Sequence, residues 1–114
     1  MINLFRLALV AAWLLMLWVT VQAVGQLGIG AAGDFFIGDM AHPWRAQFNI
    51  DFAVHLWLVA AWLIWSAKTW LWGLVSAVLA INLGALFTLA YLLVRSFQTQ
   101  GNIKAILLGR HYTA

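Results

Sequence analysis

Apolar residues fall in three long runs, Leu7 to Val24, Ile50 to Ser66 and Leu71 to Val94, with a glycine-punctuated polar stretch after the first and a mixed tail after the last. At a rise of about 1.5 Å per residue, a helix needs about 20 apolar residues to cross the hydrocarbon layer of about 30 Å. The first and third runs meet that length with their flanks, and the shorter second run needs its neighbours to do so. The pattern therefore predicts an all-α, polytopic membrane protein. It has one transmembrane domain over 1–114, with spans at about 5–24, 49–67 and 71–95.

Residues 25–48 break the helical pattern with Gly25, Gly28, Gly30, Gly33 and Gly38, and Pro43 opposes a continuous helix through His42-Pro43-Trp44. We expect an interfacial loop carrying a short helical piece. Lys68-Thr69-Trp70 form a tight turn, so the second and third spans are expected as an antiparallel hairpin. In the tail, 96–114, the positions of Ile103, Ile106, Leu107 and Leu108 beside Lys104 and Arg110 suit a short amphipathic helix on the membrane surface. Val21-Gln22-Ala23 offers a signal-peptidase-like site, but the run before it is long for a signal core, and we expect a retained helix.

Composition strengthens this picture. Of the residues, 66% are hydrophobic and only 8% charged, against about a quarter charged in a soluble domain. Net charge is +3 at pH 7, but the Lys and Arg residues lie singly beside apolar runs. They suit headgroup anchors and leave no nucleic-acid footprint. Three spans place Arg6 and Lys68 on one side and Arg45, Arg95, Lys104 and Arg110 on the other, which puts the tail in the cytoplasm by the positive-inside rule. Trp44, Trp65, Trp70 and Trp72 fall near the expected interfaces, while Trp13, Trp18, Trp57 and Trp62 lie deeper.

Little of the chain invites catalysis. It has no Cys and no Glu, and its acids are Asp34, Asp39 and Asp51, so no nucleophile, base and orienting group can be assembled at one depth. We expect no enzyme. Gly28-Ile29-Gly30-Ala31-Ala32-Gly33 spells a dinucleotide fingerprint without the strand that gives it meaning. Two constellations remain. Ser76, Ala80, Gly84 and Thr88 recur every fourth residue of the third run, a small-residue groove for close helix packing, which Gly73 and Ala77 widen. Asp51 and His55 share a face of the second span, and a hairpin of straight helices brings Arg95 level with Asp51 and Tyr91 level with His55, with Arg45 nearby. That cluster is either a structural latch or a ligand or proton site. Asn82, alone in mid-span, is expected to hydrogen-bond across helices.

Pro43-Trp44-Arg45 leading to Asp51-Phe52, Ala61-Trp62-Leu63-Ile64-Trp65, Leu83-Gly84-Ala85-Leu86 leading to Tyr91-Leu92-Leu93, and the ending Leu107-Leu108-Gly109-Arg110 resemble a family of small membrane proteins, domain of unknown function 1475. The likeness covers about two-thirds of the chain and implies the architecture without an activity. More locally, His55 followed by Trp57, Trp62 and Trp65 resembles the helix of light-harvesting polypeptides, whose His binds bacteriochlorophyll. The leading expectation is a non-catalytic accessory or assembly subunit that packs against other membrane subunits or itself. The alternatives are a pigment-, haem- or quinone-binding component using His55 as axial ligand, and a small oligomeric transporter or channel.

Overall fold

The computed structural model describes residues 2–113 as helices joined by short turns, with no strand among them. In chain order they are α1 (Ile2–Leu27), α2 (Ala31–Asp39), α3 (Pro43–Ser66), α4 (Trp70–Leu83), α5 (Ala85–Gln98) and α6 (Ile103–Leu108), then a 3₁₀ turn at Gly109–His111. Two of them, α1 and α3, are long and apolar enough to cross a membrane.

Local chemistry sets the ends. α1 outlasts its apolar run to Leu27 and stops at Gly28, whose φ of +81° and N–H bond to the Val24 carbonyl form a left-handed cap. The expected loop holds α2. α3 starts at Pro43, before the expected 49, because proline at the first helical position loses only a donor that is unpaired there anyway. The Thr69 hydroxyl then caps α4 by accepting the Trp72 N–H at 3.2 Å.

α3 and α4 form the expected antiparallel hairpin, and small residues let it close. Gly73, Ser76, Ala77 and Ala80 are buried facing Ala60, Leu63 and Ser66. A Cβ on Gly73 would lie 2.8 Å from the Ile64 Cα, so only glycine permits this approach of backbones. Ser76 and Ala80, the first two members of the expected groove, are both buried in α4.

Its third member plays another part. Gly84, at φ +60° and ψ −133°, ends α4 and starts α5, so the expected continuous rod over 71–95 is two helices of 14 residues each. A straight helix would hold Trp72 about 34 Å from Arg95. Here both line one cavity, and Tyr91 meets Trp62 with ring centroids 5.9 Å apart, so the chain reverses at Gly84. Thr88 lies beyond the reversal, on α5, and its hydroxyl turns back to the Gly84 carbonyl at 3.3 Å.

α5 packs along α1. The Arg6 guanidinium donates to the Ser96 hydroxyl at 3.0 Å and the Ser96 carbonyl at 2.8 Å, and sits 4.0 Å above the Phe97 ring. The Trp13 indole donates to the Leu86 carbonyl at 2.9 Å. The tail, which includes the expected short helix, docks on the end of α3. Ile106 is 2% exposed, the Trp62 indole donates to the Leu107 carbonyl at 2.7 Å, and His111 stacks on Trp65 at 4.1 Å. The His111 Nε2 meets the Trp65 carbonyl at 3.0 Å, supplying a partner to a helix end that lacks one.

These contacts sort the charges. Ile2 and Arg6 meet the C-terminal end of α5, and the tail meets the α3–α4 turn. Arg6, Lys68, Arg95, Lys104 and Arg110 therefore gather toward one end of the molecule. Asp51 lies about 22 Å up α3 from Ser66, and Arg45, Asp34 and Asp39 lie beyond it, with Arg45 paired to Asp39 at 3.0 Å. The expected pairing of tail with first loop fails because the reversal at Gly84 returns the chain to the turn.

Candidate functional site

The sequence cluster is split by that reversal. Asp51 and His55 do meet: the His55 Nδ1 lies 2.8 Å from the Asp51 carbonyl and 3.1 Å from its carboxylate. The pair is local to one helix turn, with side chains 51% and 68% exposed, so no other element of the chain covers it. Arg45 pairs with Asp39. Arg95, expected opposite Asp51, donates instead to the Gln98 side chain at 3.1 Å and the Ala105 carbonyl at 3.4 Å. Tyr91 packs on Trp62 and Phe87. Asn82 donates to the Val78 carbonyl of its own helix at 2.8 Å rather than to a neighbour.

As a ligand for a pigment or haem, His55 has one favourable feature. In the tautomer with its proton on Nδ1, bonded to the Asp51 carbonyl, the Nε2 lone pair is left free, as ligating histidines require. No second histidine shares its level: His42 precedes α3 and His111 is docked on Trp65. Among the described residues no three His, Cys, Asp or Glu side chains cluster to hold a metal.

The reversal creates a different site. A cavity of about 500 Å³ opens between the α3–α4 connection, α5 and the tail, lined by Ser66, Lys68, Trp72, Tyr91, Arg95 and Arg110. No acidic residue lines it, and none of its three cations makes a salt bridge among the described residues. Ser66 is 4% exposed and its hydroxyl has no hydrogen-bond partner. Gly109 presses on the Ser66 carbonyl, closing the cavity toward α3 where any larger residue would collide. The contacts of Arg95 with Gln98 and Ala105 fix its guanidinium while leaving N–H groups over, since the fork carries five.

Sequence reasoning placed Tyr91 and Arg95 in a site but gave them the wrong company. It missed Ser66, Lys68, Trp72 and Arg110. One signal was present: the residues from Trp70 to Leu83 are apolar apart from Ser76 and Asn82, whereas Tyr91, Arg95 and Gln98 after Gly84 form a polar stripe. A second cavity of about 320 Å³, at the other end, is bordered by Asp34, Asp39 and His42 and is shallow and open.

The model of a protein family described as "Protein of unknown function (DUF1475)" matches residues 6–113. No curated protein and no solved structure matches the chain.

Proposed function

We propose a non-catalytic role, as an accessory or assembly subunit of a membrane, for this chain, which belongs to the DUF1475 family. In this reading α1 and α3 cross the bilayer, and α4 and α5 enter from one side and return to it. Each of those two helices is about 21 Å long, short of the hydrocarbon thickness of about 30 Å. A re-entrant pair is tolerated there because its backbone is hydrogen-bonded within the helices and is covered on one flank by α3 and α1. The multi-pass chain is then anchored by two full spans, and its basic end, tail included, faces the cytoplasm. Arg6, Lys68, Arg95, Lys104 and Arg110 support that orientation against Arg45 alone.

The observation that carries the packing role is the free half of α1. Only Leu9 is buried in its 26 residues, and every residue from 21 to 30 is exposed. Trp18 is 62% and Leu15 60% exposed. Full burial of such a side chain is worth about 1.5–3 kcal/mol, and lipid or a partner helix supplies it. Gln22 and Gln26, one turn apart on the same stretch, add side-chain amides that hydrogen-bond well across helices.

A photo-crosslinker at Trp18, activated in the native membrane, tests this. A reproducible adduct with another membrane polypeptide or a second copy supports the role; adducts with lipid alone refute it. The free Nε2 of His55 favours a second reading, a pigment or haem ligated on that face. An absorption band in the gently purified protein, lost on His55→Ala, would establish it.

A further inference from the structure

We propose that the cavity between the α3–α4 turn, α5 and the tail binds a phosphate-bearing anion, with a lipid headgroup as the natural source. Three cations that make no salt bridge among the described residues line it: Lys68, Arg95 and Arg110. A guanidinium held by other contacts is pre-oriented for two-pronged binding of phosphate oxygens, and an ammonium adds a mobile point charge. Arg95 is held in that way, through Gln98 and Ala105.

Ser66 is the second, independent sign. The residue lines the cavity and its hydroxyl is buried and unpartnered, although buried polar groups almost always find a partner. A phosphate oxygen would satisfy it. The Trp72 and Val94 side chains form an apolar border that suits an acyl chain better than bulk water. The preference for a lipid source rests on the membrane reading above; the preference for a phosphate does not.

The test uses the full chain, purified in mild detergent and followed by thermal melting. It is titrated separately with short-chain phosphatidic acid, short-chain phosphatidylcholine and inorganic phosphate. We expect the phosphatidic acid to raise the melting temperature saturably and the zwitterionic lipid not to. Arg110→Gln and Lys68→Gln should each weaken binding about fivefold, the effect of one basic group near an anionic surface. Arg45→Gln, the same charge loss at the far end, should leave binding unchanged.

Stabilisation by inorganic phosphate at similar concentrations, with nothing added by acyl chains, supports the site with free phosphate as its source. The inference is overturned if no anion stabilises, or if Arg45→Gln weakens binding as much as Arg110→Gln. Arg95→Gln is a further variant, and if it fails to fold the two exposed cations decide. Retention of the chain in alkali-washed membranes is measured in parallel. A retained chain blind to anions defeats this inference alone, whereas a released chain defeats the membrane reading and leaves the inorganic phosphate arm to judge the cavity.

Discussion

Gly84 is the residue on which the arrangement turns, and replacing it by alanine separates two causes of the reversal. At φ +60° and ψ −133° an L-residue is strained, at a cost of about 1–3 kcal/mol. Space is not the obstacle, because an added Cβ would meet only the Phe52 ring at 3.6 Å. Against straightening stand the Arg6 bonds to Ser96 and the Trp62–Tyr91 contact. Hydrogen bonds from a charged donor are worth about 1.5–3 kcal/mol each, and the aromatic pair about 1 kcal/mol. Restraints of about 4 kcal/mol exceed a strain of about 2 kcal/mol, so Gly84→Ala should keep the bend and lose stability. At about 4 °C per kcal/mol, the melting temperature should fall about 8 °C. Removing the restraint as well, in Gly84→Ala with Arg6→Ala, should let residues 70–98 straighten into a helix of about 43 Å, long enough to cross. The chain has no cysteine, so single cysteines at Lys68 and Lys104 report sidedness with an impermeant thiol reagent in sealed vesicles. The two should label from the same side in the parent and in Gly84→Ala, and from opposite sides in the double variant. A Gly84→Ala chain that melts unchanged would refute the backbone argument, and opposite-side labelling in the parent would refute the hairpin itself.

Other substitutions test the remaining contacts. Gly73→Leu drives a side chain into the Ile64 backbone, where a Cβ alone already lies 2.8 Å away; overpacking of about 1–3 kcal/mol should part α3 from α4, lowering the melting temperature and weakening a disulfide engineered across the pair. Gly109→Ala sets a methyl against the Ser66 carbonyl at a residue of φ +54°. The tail should undock and become cleavable near Gly101 in limited proteolysis, while the helical circular dichroism changes little. Asp51→Asn removes an exposed pair within one helix and should shift the melting curve by no more than about 0.5 kcal/mol, whereas a latch between helices would cost several times that.

Where chemistry was local, the sequence was readable. Lys68-Thr69-Trp70 announced a turn, and Gly73, Ser76 and Ala80 a close interface, each from its own neighbourhood, whereas Pro43 reads as a break and is the start of α3. Gly84 was misread for a physical reason. Glycine in an apolar helix serves equally as a small residue in a groove and as a residue free to adopt positive φ, and spacing from Ser76 and Ala80 favoured the first. The choice depends on contacts made by Arg6 and Trp62, far away in the chain. Two differences in the candidate site descend from it: Arg95 is not opposite Asp51, and the tail does not lie with the first loop. Tyr91 packs on α3 at Trp62, about two turns beyond the level of His55.

The buried residues explain why the tail is docked so tightly. Leu9, Leu63 and Ile106 are the large members of a core otherwise built from Ala60, Ala67, Ala77 and Ala80. Alanine and glycine gain close backbone contact but little burial per residue, so helix pairs joined through them need ties at their ends. The ties here are directional: Arg6 to Ser96, Trp62 to Leu107, and His111 to Trp65. Each engages a backbone carbonyl, and the last two are made by residues around the turn that faces the cationic cavity. Holding α5 and the tail against that turn keeps Lys68, Arg95 and Arg110 close despite their mutual repulsion. An anion in the cavity would relieve the repulsion and strengthen the same ties, so occupancy of the site and stability of the fold are expected to rise together.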